Sequence, residues 1–366
     1  MKKILMLLLT VGVVFTLSAC GPKEDANCLT TGETEELIVL NWGEYIDPEL
    51  VEQFECEFNV DVVYQEVGSN EEMESKILSG TADYDVVFPS DYMIDKLQKQ
   101  NLLNTIDYTK LPALENNGIL QAVEDLYGDK SYADYMVPYF WGTIGIMYNT
   151  DNVSEDDLTS WNVLFDPATT YDIGMYDSSR DAVAAALMAL GYSVNSNVTS
   201  ELNEAEALLS GGTYEIFGED NLKLQVIQGN LDMALVYSGD YFDELYAAEE
   251  EDLDINFGYY VPETTNVWID AMVIPTTSTN VDLAHTFINF LITEEIHEQN
   301  ADWVGYAPVL TNVYNTLTDP DGDYGYDYDN YNPVPDGSSR EMFEFVSDSR
   351  FERLNDILNN AKLSQD

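Results

Sequence analysis

Between Leu37 and Phe88 the chain alternates three short apolar runs with two stretches that open and close like helices. The runs are Leu37-Ile-Val-Leu40, Val60-Asp-Val-Val-Tyr64 and Tyr84-Asp-Val-Val-Phe88. Short, β-branched segments of this kind read as buried strands. Pro48 stands at a first helical turn and predicts a helix to about Glu57. A second helix, about Asn70 to Leu78, closes on Gly80. The β-α-β-α-β order implies a parallel sheet with helices on its faces. Ligands of such sheets bind outside the carboxyl ends of the strands. Trp42, Gly43 and Tyr45 after the first strand, and Ser90 and Tyr92 after the third, therefore fall on a binding rim by topology alone.

The chain has 366 residues, more than one core usually serves, so two lobes are expected. Pro138 to Tyr148 has the apolar, aromatic character of a strand crossing between them. A second α/β unit follows. Tyr171 to Tyr176 is a strand, and Asp177-Ser-Ser-Arg-Asp181 caps an Ala-rich helix to Leu190. Asn221 to Gln228 reads as a helix, and Met233 to Tyr237 as a strand ending in Ser238-Gly239-Asp240-Tyr241. Thr264 to Pro275 returns the chain to the first lobe, where Ala284 to Ile292 is an amphipathic helix. The expected division is 36–140 plus 268–312 for lobe 1 and 141–267 plus 313–366 for lobe 2. Trp141 and Tyr148 read as core.

The returning stretch reads T-T-N-V-W-I-D-A-M-V-I-P and carries Trp268 and Asp270 two residues apart. In a strand, i and i+2 point to one face. A ring and a carboxylate on one face make half of a cage for an organic cation, the acid pairing with its charge and the ring attracting it through its quadrupole. The competing reading is a buried strand that ends in a turn Asp.

Lys2 and Lys3 precede an apolar run from Ile4 to Leu17, and Leu17-Ser18-Ala19-Cys20 follows. A basic start, a short apolar core and small residues before a cleavage point mark a signal peptide over residues 1–19. The Cys directly after Ser-Ala resembles a bacterial lipobox, with Cys20 as the lipidated first residue of the mature protein. Residues 20–35 form a polar, Gly/Pro-punctuated tether. The extracytoplasmic compartment permits a disulfide between Cys28 and Cys56, and two free thiols are the alternative. The chain holds 68 acids against 14 bases, a formal charge of −54. That charge disfavours nucleic acid and anionic membrane surfaces and attracts cationic solutes. The acidic stretch Asp319 to Asn332 suggests a calcium loop but has Tyr324 where an EF-hand needs glycine and Asn330 where it needs Glu, so it reads as a solvated loop and no metal is expected.

Six segments in order, N-W-G-E-Y, V-V-F-P-S-D-Y, P-Y-F-W-G-T-I-G-I-M-Y-N, S-R-D, W-I-D-A-M-V-I-P and W-V-G-Y-A-P, resemble the bacterial spermidine/putrescine-binding proteins. The likeness runs from about Leu37 to Tyr314. It implies an α/β, two-lobed, type II periplasmic-binding-protein-like fold with a hinge between lobes. It also implies a lipoprotein receptor that passes polyamines to the membrane permease subunits of an ABC transporter, with no cofactor and no catalysis. By the same resemblance Trp42, Tyr45, Ser90, Tyr92, Tyr237, Trp268 and Tyr306 line the cleft, and Asp181 and Asp270 take the ammonium groups. Three positions depart from the family pattern: Gly43 for a hydroxyl residue, Ser178 for an acid, and Tyr237 for Trp with Asp240 following it. The alternatives are a same-fold receptor for a sugar, an amino acid or ferric iron, and a secreted hydrolase with paired carboxylates. Neutral ligands do not call for converging acids. His285 and His297 read as helix residues away from the rim, with a helix-surface role, and no nucleophile elbow, zinc motif or phosphate loop is present.

Overall fold

The computed structural model describes residues 34–250, 253–322, 324, 331–335 and 337–365. The leader, Cys20, Cys28 and much of the acidic loop lie outside these residues. The first α/β unit forms as its alternation requires. β1 (Glu35–Trp42), β2 (Val60–Val67) and β3 (Val86–Val87) pair in parallel, with β1 in the middle. The crossovers are α1 (Pro48–Phe58) and α2 (Asn70–Ser79), and α3 (Asp91–Lys99) follows β3. Asp47 caps α1 by accepting from Glu49 N, and Ser69 caps α2 by accepting from Glu72 N. Gly80 ends α2 at φ +62°, a conformation that costs glycine nothing.

Short helices α4 (Pro112–Asn117) and α5 (Gln121–Tyr127) lead to β4 (Val137–Gly142) and β5 (Ile144–Asn149). The expected single crossing strand is thus two strands, separated by Thr143 alone, and both are buried throughout. The second lobe continues with β6 (Ile173–Tyr176), α6 (Ser179–Ala189), α7 (Thr199–Gly211), β7 (Ile216–Gly218), α8 (Asn221–Ile227), β8 (Met233–Tyr237), α9 (Ser238–Glu250) and β9 (Phe257–Tyr260). Its sheet runs β7-β6-β8-β5-β9. The return is also two strands, β10 (Thr264–Asn266) and β11 (Trp268–Met272), divided at Val267. A strand serves one sheet's ladder at a time, so a change of sheet needs a break. β11 joins β4 in antiparallel pairing, and Val87 and Val273 exchange backbone hydrogen bonds of 3.0 and 2.9 Å. These bonds form an isolated bridge that ties the β11-β4-β12 sheet to the edge of the β2-β1-β3 sheet.

The remaining elements are α10 (Val281–Leu291), α11 (Glu294–Val304), β12 (Ala307–Pro308), α12 (Thr311–Leu317), β13 (Ser339–Glu341) and a C-terminal helix, Asp348–Leu363. β12 pairs with β4, and β13 pairs with β10. The C-terminal helix packs on α6 and α7, whereas α12 packs on α11, α4 and β12. The helix-surface reading of the two histidines is overturned. His285 is buried and its Nε2 accepts from Asp107 N at 2.9 Å. His297 is fully buried and stacks on Phe140 at 5.2 Å, so its ring serves the core. Burial pushes it down to about 4. Cys56 is disulfide-bonded. No helix among the described residues is long and apolar enough to cross a membrane.

Candidate functional site

The two changes of sheet bring β11, the end of β8 and the starts of α3, α6 and α9 together. On β11 all five residues are buried, Trp268 and Asp270 at 7% exposure each. A register shift follows Asp270, a bulge of the kind that re-aims side chains beside sites. Asp270 bridges to Ser90 in the backbone ladder. Ser90 is held in turn by Asn70, whose Nδ2 donates to its Oγ and whose Oδ1 accepts from its N, both at 3.0 Å.

Around β11 the rings form a cage. Tyr306 lies 5.1 Å from Trp268 and 5.6 Å from Tyr45, edge to face in both cases. Tyr237 meets Trp268 edge-on at 6.0 Å and Tyr176 at 5.1 Å. Such contacts add to the burial of the rings and fix their orientation. Two glycines make the floor. A Cβ on Gly142 would come within 2.5 Å of the Trp268 ring, and one on Gly239 within 2.3 Å of the Tyr306 ring. Gly43 has no such duty, since its Cβ would meet only Glu66, at 3.8 Å, and it is exposed. Trp42 is half-buried at the end of β1, with its indole N–H unpartnered.

The acids differ in their company. Asp270 Oδ1, Tyr45 Oη and Trp268 Nε1 are buried without hydrogen-bond partners. Burial raises Asp270 to about 6. Ser90 and Tyr45 approach closely enough to moderate that rise, although Tyr45 Oη and Asp270 Oδ1 complete no bond of ordinary geometry. Asp181, in the first turn of α6, accepts from Tyr237 Oη at 2.9 Å. Its own N–H donates to Ser178 Oγ, so Ser178 serves as the cap of α6. Burial raises the Asp181 carboxyl against the opposing pull of Ser178, Arg180 and Tyr237. Asp240, in the first turn of α9, lies 3.6 Å from Lys223 Nζ. Tyr92 is buried, and its ring face is covered by the Arg180 guanidinium at 3.3 Å.

Sequence reasoning singled out the residues at strand ends and missed those that support them. Glu71, Tyr176, Lys223 and Asn70 were not read as part of the site, and the two floor glycines lay inside segments that were quoted for other reasons. Gly142 ends β4 and Gly239 follows the end of β8 by two residues, and the rings they face are visible only in the structure.

Two α/β lobes joined by strands that change sheet, with an aromatic, acidic cleft between, define a two-lobed solute-binding protein. The model of the family described as bacterial extracellular solute-binding protein matches residues 49–323. The chain belongs to this family, whose members bind and present solutes without transforming them. It is 32% identical over 298 residues to the putrescine-binding periplasmic protein of Pseudomonas aeruginosa, covering 77% of this chain and 80% of that one. It is 30% identical over 281 residues to the spermidine/putrescine-binding periplasmic protein of Escherichia coli, covering 75% and 77%. Among solved structures, the spermidine/putrescine ABC transporter substrate-binding protein of Streptococcus pneumoniae superposes with a TM-score of 0.75 at 32% identity, covering 91% of this chain and 100% of that one.

Proposed function

We propose that this chain is the polyamine receptor of an ABC importer, held at the outer face of the cytoplasmic membrane by a lipid on Cys20. One observation carries the reading: Asp270 Oδ1, buried and unpartnered, on the strand face that also carries Trp268. An isolated buried carboxylate is costly, and a ligand ammonium supplies the missing counter-charge. The rings of Trp268, Tyr306, Tyr45 and Tyr237 pack methylenes and attract cations through their faces. The names of the relatives support the same ligand class. Closure turns on the two crossings, Thr143 and Val267.

Isothermal titration of the mature protein with putrescine, spermidine and a neutral hexose tests the reading. Heat from an amine and none from the hexose is expected. Binding of the hexose with no response to either amine would overturn it in favour of another solute. Replacing Cys20 with Ala should release the protein from the membrane fraction; retention would end the lipoprotein assignment.

A further inference from the structure

Ser90 and Asp270 stand directly opposite each other where the start of α3 meets β11. Ala271 N donates to Pro89 O at 3.1 Å, so the ladder bonds run beside this pair and not through it. In a pair of that kind the side chains share a face and approach more closely than in a hydrogen-bonded pair. Asn70, the first residue of α2, is buried and holds Ser90 by two contacts of 3.0 Å. The backbone N–H of Ser90 can only donate, so the oxygen of the Asn70 amide must face it and Nδ2 must face Oγ. The serine oxygen therefore accepts from Asn70 and keeps its single hydrogen for another partner. Asp270 is the acceptor across the ladder, and the serine hydroxyl opposes the rise that burial imposes on that carboxyl.

We propose that Asn70 is a positioning residue of the cation site: by donating to Ser90 it turns the serine hydrogen toward Asp270, which keeps that acid ionised for an ammonium. The inference rests on the polyamine reading. A hydroxyl oxygen has two lone pairs; with one given to Asn70, the other is left to accept from the ammonium that Asp270 attracts. Among the described residues, the other titratable groups facing Asp270 are Tyr45, which precedes α1, and Asp91, in the first turn of α3, itself acted on by Arg180 of α6. Across the ladder on β4 stands Phe140. Tyr45 Oη has no hydrogen-bond partner, and Asp91 takes Tyr92 N on one oxygen at 2.6 Å and leaves the other buried without one. Neither draws on Ser90 or Asn70, so the relay from Asn70 through Ser90 ends at Asp270.

The test is titration calorimetry of the full mature protein with putrescine between pH 7.5 and 5, on the wild type, Asn70→Asp, Ser90→Ala and the double variant. Asn70→Asp keeps the shape and still accepts from Ser90 N but has no hydrogen for Oγ, so the serine hydroxyl turns to it and leaves Asp270. The pH below which affinity falls should rise by about one unit. Ser90→Ala should raise it by a similar amount. The double variant should go no further than either single one, because both remove the same bond. Asn70 also approaches the Tyr92 hydroxyl; an effect sent that way, or one due to the added charge alone, would act undiminished on top of Ser90→Ala. A flat wild-type profile, an unmoved midpoint in either single variant, or shifts that add in the double variant overturns the inference while leaving the receptor reading intact. If the wild type binds no putrescine at any pH, the receptor reading fails and the inference falls with it. Should Asn70→Asp not fold, judged by its thermal transition, Asn70→Ala takes its place: it removes the donor without adding a charge, and the same sign and the same lack of additivity decide.

Discussion

Asp270 and Asp240 are acids of one cleft that solve the problem of burial in opposite ways. Asp240, at the start of α9, has Lys223 beside it, and Lys223 is shared with Asp243 and Glu244. Burial works against the charge of Lys223, but these acids overcome it and raise its ammonium. Asp270, on β11, has hydroxyls and rings for neighbours and no cation. The first has a cation beside it within the fold, although its Oδ2 is buried without a hydrogen-bond partner. The second is left unsatisfied, which weakens the free protein and reserves the interaction for a ligand. A raised carboxyl marks burial in both; the presence of an internal cation decides which of them has binding to offer.

The largest effect should come from Asp270→Asn, which keeps the shape and removes the charge. Truncating one member of a buried charge pair costs roughly 2–5 kcal/mol, and each 1.4 kcal/mol is about tenfold. Polyamine affinity measured by calorimetry should fall on the order of thirtyfold or more. The same change should stabilise the ligand-free protein at neutral pH, seen as a higher thermal midpoint. A rise from 3.8 to about 6 corresponds to roughly 3 kcal/mol of strain in the charged form. Unchanged affinity and a lowered midpoint would put Asp270 on the same footing as Asp240 and erase the contrast.

The pH profile should be the next largest effect. Because the folded carboxyl is raised, the native state binds the proton more tightly than the unfolded chain between pH 3.8 and about 6. Stability from this group is therefore fully present below that window and is lost as pH rises through 6. Asp181 shifts in the same direction for the same cause. Ligand binding runs the other way, since an ammonium needs the charged form. Affinity should hold above pH 7 and fall by up to about tenfold per unit below pH 6. A flat profile from pH 7.5 to 5 would show that no raised carboxyl takes the ligand.

Trp268→Ala removes one wall and its cation–π attraction, worth about 0.5–2 kcal/mol, so a loss of severalfold up to about thirtyfold is expected. No loss would place the methylenes elsewhere. Asp240→Asn should change diamine affinity by about threefold or less, because Lys223 retains Asp243 and Glu244 as partners. Asp254→Asn, on an exposed acidic segment, should change nothing measurable. If Asp240→Asn matches Asp270→Asn, the internal cation does not satisfy Asp240 as its position suggests.

The sequence made the first parallel sheet legible because its strands and crossovers are local, each with its own cap or breaker. Asp47, Ser69 and Gly80 mark helix ends by rules that involve only neighbours. Trp268 and Asp270 could be paired because two residues on a strand share a face whatever surrounds them. The split of Pro138–Tyr148 and Thr264–Pro275 into strands of different sheets was not legible, since the ladder partners that force the breaks lie far away in the chain. The company of Asp240 was hidden for the same reason: Lys223 is 17 positions away, on another helix, and looks like any surface lysine. The buried histidines were misread because nothing local tells an inward helix face that packs a ring from one that meets water.

Thr143 and Val267 divide the connecting strands one residue before each enters its new sheet, and they are the two points on which the proposed closure would turn. In a rigid rotation, travel grows with distance from the axis. Trp268, next in chain to Val267, would therefore move least, whereas the Arg180–Glu71 contact joins α6 to α2 and not the connecting strands. The proposed closure would give the site a stationary side and a sweeping one. A first encounter uses an anchor already in place, and the angular displacement is read out at the periphery, as a short lever reads a small turn.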